Sequence, residues 1–192
     1  MVKKTVALAC ALCLALCLPS AALGCECYDL SAVESYRLAD AVLVGKVIKT
    51  ARAKEARVGM VQKPRAGGTT GWEWNRYEVD VQSTTLEIGE AFKGVMGATV
   101  EVTSIVESPG SCGVGFREGE SYLVYASKAR PLLKGDAAKL PKERWTEEMR
   151  LKAEADEWNA KLPALATGMC LRTAELSVRA EDVNEIRRLI KK

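Results

Sequence analysis

The period of apolar and polar positions changes several times along this chain, and each change marks an element. Thr5 to Leu18 is an apolar run, preceded by Lys3 and Lys4 and followed by Pro19 and the small residues Ala22 and Gly24. At 14 residues it is short of the roughly 20 that a membrane-spanning helix needs. A charged start, a short apolar run and small residues before a cut are the order of a secretory leader. The expectation is therefore a leader over 1–24 and a mature chain that starts at Cys25 and forms one domain over 25–192. Ser31 and Glu34 then stand at capping-box spacing, with Ala32, Val33, Tyr36 and Ala39 at helical intervals, which predicts a short helix up to Asp40. Ala41 to Ile48 is apolar and β-branched and predicts a buried strand, with Gly45 as a bend or bulge.

From Lys49 to Gly71 no period holds, so the stretch reads as a long loop inserted over 50–71 or as an extended hairpin arm. Trp72, Trp74 and Arg76, then Tyr77, Val79 and Val81, alternate with polar residues, and Leu86 to Phe92 continues this strand to a turn at Lys93-Gly94. Val100, Val102, Ile105 and Val106 predict the next strand, broken by Ser108-Pro109-Gly110-Ser111. Cys112 to Phe116 and Tyr122 to Tyr125 flank Arg117-Glu118-Gly119-Glu120 and predict a hairpin whose Phe116 and Tyr122 lie in the core. Within 140–163, Leu151, Ala155, Trp158 and Leu162 share one helical face up to Pro163. That helix should pack on the β structure, and Trp72 and Trp74 should pack against one or the other rather than stack on a sugar. A short extended piece, Leu171 to Leu176, leads to a last helix with Val183, Ile186, Leu189 and Ile190 on one face. Short strands with bulge-like glycines give a mainly β class, a small closed barrel or sandwich with flanking α-helices.

Composition narrows the chemistry. Of seven cysteines, Cys10, Cys13 and Cys17 leave with the leader, and Cys25, Cys27, Cys112 and Cys170 remain. An even number in an oxidising compartment predicts two disulfides. Cys25 and Cys27 are too close for a relaxed bridge to each other, so each reaches Cys112 or Cys170. A lipid anchor on Cys25 is disfavoured, because Leu23 stands where a lipobox has a small residue and lipidation would leave an odd thiol. The chain is expected to be secreted to the extracellular space, periplasm or cell surface, with no membrane span. Without the leader, 26 basic residues face 25 acidic ones, which gives no nucleic-acid footprint. Histidine is absent, which removes the commonest general base and metal ligand, so no enzyme and no cofactor of its own are expected.

Cys25-Glu26-Cys27, a helix, Ala39-Asp40-Ala41-Val42-Leu43-Val44-Gly45-Lys46-Val47, Phe92-Lys93-Gly94 and Ser111-Cys112-Gly113-Val114 follow one another in an order that resembles the N-terminal domain of the tissue inhibitors of metalloproteinases and the wider netrin-like modules. The resemblance covers most of residues 25–176, and the second domain of the animal inhibitors has no counterpart. It implies an OB-type five-stranded β-barrel, disulfides Cys25–Cys112 and Cys27–Cys170, and a monomer whose partner is a secreted or surface zinc metalloproteinase.

The same resemblance implies a mechanism. An α-amino group has a pKa of about 8, so near neutrality part of it has a lone pair to offer a metal. The amine and carbonyl of Cys25 would chelate the partner's catalytic zinc at its open coordination position, with Glu26, Cys27, Ser108, Ser111, Cys112, Gly113 and Val114 completing an inhibitory edge. Glu26 would enter the pocket beside the zinc, where a carboxylate is penalised in apolar surroundings, which favours a partner with a basic or wide pocket. A netrin-like interaction module without inhibition has the same fold and differs at the terminus.

Overall fold

The computed structural model describes residues 27, 30–64, 69–106, 113–132, 134–160 and 165–191. Residues 1–24, read from the sequence as a leader, and Cys25, Glu26, Ser108, Ser111 and Cys112 lie outside the described residues. The elements are α1 (Ala32–Leu38), β1 (Ala41–Pro64), β2 (Thr70–Lys93), β3 (Thr99–Val106), β4 (Ser121–Ser127), α2 (Asp136–Lys139), α3 (Glu147–Asn159), β5 (Ala166–Thr167), β6 (Ala174–Glu175) and α4 (Leu176–Ile190). Strand exceeds helix, 46% against 29%, so the chain is mainly β. The strands run β1-β2-β3-β5-β4-β6, and β1 also pairs with β4, which closes a ring of five strands.

The ring closes because the first part of β1 is paired on both edges. Ala41 to Lys46 faces Ala126 to Ser121 of β4, and Val42 to Val47 faces Lys93 to Leu86 of β2. Register shifts at Val42/Leu43, Val44/Gly45 and Val47/Lys49 bend the strand, as bulges do. Leu43, Val47, Leu86, Val102, Phe116, Tyr122 and Val124 fill the inside, and Ala39, Val42, Leu123, Tyr125, Val183 and Ile186 pack outside it under α1 and α4. Strands buried on both faces read as continuous apolar runs, which is how Ala41–Val44 and Tyr122–Ala126 appear. Phe116 and Tyr122 meet edge to face at 4.8 Å.

α1 opens on the predicted capping box: Ser31 Oγ accepts from the Glu34 amide at 3.2 Å and the Glu34 carboxylate accepts from the Ser31 amide at 2.9 Å. Its far end is closed from a distance. Lys93 Nζ donates to the carbonyls of Tyr36, Arg37 and Ala39 at 2.9, 3.1 and 2.5 Å, where a cation suits the helix dipole. Gly94 turns the chain with φ +68, and a Cβ there would lie 1.9 Å from the Asp40 carbonyl oxygen. Lys93→Met should lower stability by about 1–2 kcal/mol through the lost charge-assisted bonds; an unchanged thermal midpoint would show that α1 needs no cap from β2.

Between Lys49 and Gly71 the chain forms the hairpin arm, and the loop over 50–71 is corrected: β1 and β2 stay paired from Lys49↔Thr85 out to Pro64↔Thr70. β4 stops before the arm begins, since the Glu118 carboxylate accepts from the Thr50 amide at 2.8 Å and occupies the β1 edge. α3 is shorter than predicted and engages this arm, with Leu151 and Ala155 buried. Arg76 donates to Glu154 at 3.0 Å through Nε, which holds the Glu154 carboxyl below the usual range, and Lys152 Nζ lies 5.4 Å from the Trp74 ring centre. Trp72 remains exposed. In α4, Val183 and Ile186 are buried as predicted, whereas Ile190 is exposed.

The predicted hairpin of Cys112–Phe116 with Tyr122–Tyr125 does not form over its described residues, because side chains take the backbone groups of 113–117. Gln82 donates to the Phe116 carbonyl at 2.8 Å and accepts from the Phe116 amide at 2.9 Å, and Ser104 Oγ accepts from the Val114 amide at 2.8 Å. Gln82 and Ser104 are cross-strand partners, so together they act as a surrogate strand edge.

Candidate functional site

The N-terminal segment is fixed to the C-terminal part of the chain. Cys27 is bonded to Cys170, with their Cα atoms 5.1 Å apart. Cys170 lies in a 3-10 turn, Met169–Leu171, between β5 and β6, and that turn is held to β4 from below. Thr167 Oγ1 donates to the Tyr125 carbonyl at 2.6 Å, and Thr173 Oγ1 accepts from the Tyr125 amide at 2.8 Å. The two hydroxyls lie 2.7 Å apart. They stand in for ladder bonds that the two-residue strands β5 and β6 are too short to supply.

The second part of the predicted edge reaches the same end of the ring. β5 runs parallel to β3, with Thr103↔Ala166 and Ser104↔Thr167, so the chain leaves both strands in one direction: toward Cys170 from β5, toward Gly113 from β3. Gly113 folds back against that end of β3, where a Cβ would lie 1.1 Å from the Ile105 carbonyl oxygen; only glycine allows this approach. Val114 is 7% exposed and belongs to the inner core, so its side chain anchors the segment. Of the predicted site residues, Cys27 and Gly113 therefore stand at this end of the ring, Val114 beneath it, and Cys25, Glu26, Ser108, Ser111 and Cys112 lie outside the described residues.

Sequence reasoning missed Arg172 and Asp182. Arg172 Nε and Nη2 donate to the two Asp182 oxygens at 2.7 and 3.0 Å, and Nη1 donates to the Leu30 carbonyl at 2.8 Å. A charge in a turn and another in the C-terminal helix read as surface, and no spacing in the sequence points from Arg172 to Leu30. Among the described residues no group of three or more His, Cys, Asp or Glu could hold a metal, and no helix is long and apolar enough to cross a membrane.

Beside this clasp the Tyr125 phenol is pushed far up, first by burial and then by the Asp182 charge, and its oxygen has no hydrogen-bond partner among the described residues. A group whose folded pKa lies above its unfolded value of about 10 stabilises the fold below that pH and ceases to do so as pH rises beyond it. Tyr125→Phe should stay within about 1 kcal/mol of the parent at pH 7 and be the more stable of the two at pH 11, read from urea midpoints. Equal loss at pH 11 would assign the alkaline transition to other groups.

No family model matches the chain, and no curated protein matches it either.

Proposed function

We propose that this chain is a secreted inhibitor of zinc metalloendopeptidases, an OB-type barrel of the netrin-like kind whose mature Cys25 donates its amine and carbonyl to the partner's catalytic zinc. The observation that carries this reading is the Cys27–Cys170 disulfide at the end of the ring where β3 and β5 both leave it. It brings Cys27 to the same end as Gly113. A terminus held in this way gives up little conformational freedom when it binds. A second bridge, Cys25–Cys112, would fix it from the other side, and a five-stranded ring is the framework that an OB-type barrel requires.

Intact mass of the natively secreted, unreduced protein should match residues 25–192 less four hydrogens, which establishes a Cys25 amine and two disulfides. That protein, tested against zinc endopeptidases with apolar, wide and basic pockets, should inhibit at least one of the last two kinds. One alanine added before Cys25 should abolish inhibition without changing the fold. Inhibition that survives the added alanine would overturn the chelation mechanism. No inhibition across the panel would leave the non-inhibitory netrin-like interaction module in its place.

A further inference from the structure

Arg172 is the one non-glycine residue with positive φ, at 72°, among the described residues, a conformation that L side chains adopt at a cost. Glycine would suit such a turn better, so the arginine side chain has to contribute something that offsets the strain. Its guanidinium joins three parts of the chain: the segment that carries Cys170, helix α4 through Asp182, and the N-terminal segment through Leu30. The Arg172 and Asp182 side chains are only 21% and 10% exposed. α4 is kinked at Arg179 (φ −120, ψ 20), and Asp182 follows in the first turn beyond the kink, where its charge also suits the helix dipole.

We propose that Arg172 is a positioning residue for the N-terminal segment. The disulfide holds the segment at Cys27, and α1, whose N-cap is Ser31 and whose Ala32 is buried, holds it just beyond Leu30. Arg172 adds a hold at Leu30, between these two, and ties the path of the segment to the turn that carries Cys170. The planar fork of arginine reaches a carboxylate with two nitrogens and a carbonyl with the third, which a lysine ammonium does not reproduce. Insofar as this concerns inhibition it rests on the function proposed above, since the pose fixed would be that of the zinc-binding amine; the ordering of the segment does not depend on it.

The test uses the full mature, oxidised protein and two variants. R172K keeps the charge and loses the fork, and the double variant R172G/D182N keeps the turn, relieves its strain and removes both charges of the pair, with D182N alone as the control for the ion pair that Arg179 makes with Asp182 at 3.9 Å. Backbone order parameters from 15N relaxation are expected to fall at Cys27 and Leu30 from about 0.85 to below about 0.6 in both variants, while those of β3 and β4 stay unchanged. Against any protease that the parent inhibits, both variants should be at least ten-fold weaker inhibitors. If R172G/D182N keeps the segment ordered, Arg172 serves only the turn and the proposal is overturned. If order is lost while the parent inhibits no protease, the positioning role stands and the inhibitory reading fails.

Discussion

The double variant Cys27→Ala/Cys170→Ala is expected to lose about 3–5 kcal/mol of unfolding free energy. The bridge spans 143 residues, and the chain-entropy treatment gives about 5 kcal/mol for a closed loop of that size. A domain of this length is typically stable by about 5–15 kcal/mol in total, so the loss is a fifth or more of it. Urea unfolding should show a lower midpoint, and the thermal midpoint should fall by roughly 10 °C. A change below about 1 kcal/mol would mean that the unfolded chain is already compact about these two positions, and that the bridge serves the terminus rather than the fold.

The second large effect is expected inside the ring. Gln82 is 2% exposed and satisfies both the amide and the carbonyl of Phe116. Gln82→Leu keeps a side chain of similar bulk and leaves two buried backbone groups without partners, each costing about 1–3 kcal/mol. The expected loss is about 4 kcal/mol. Because the same strand edge holds Val114 through Ser104, backbone amides from 113 to 117 should exchange with solvent faster in the variant than those of β4. An even rise across the whole ring would instead mark Gln82 as a packing residue only.

What the sequence reveals depends on whether burial leaves a pattern. Ala41–Val44 and Tyr122–Ala126 were legible because both faces are covered, and α1 because its capping box is local. The arm was ambiguous because residues 51–54 are exposed on both faces; its strands are held by backbone pairing, which any sequence can supply. The stretch after Cys112 was misread because Gln82, Thr84, Thr103 and Ser104 resemble a solvent-facing strand, yet all four are buried. Cysteine parity left the pairing open; the resemblance singled out Cys27 with Cys170, and that bond is present. Arg172 and Asp182 were invisible for the opposite reason to the core, as charges whose burial is offset by partners distant in sequence, each other and Leu30 among them.

Among the described residues, Ala166 and Thr167 of β5 are the only strand link between β3 and β4 in the ring. They come late in the chain. A ribosome that has delivered everything up to α3 has therefore made an open sheet whose two edges cannot yet meet, and ring closure belongs to the final stage of synthesis or export. Cys27 emerges long before its partner Cys170 does, with Cys112 arriving in between. Any earlier bond from Cys27 to Cys112 is a wrong one that must be exchanged, so oxidative maturation of this small domain should be limited by thiol reshuffling and hastened by a disulfide isomerase.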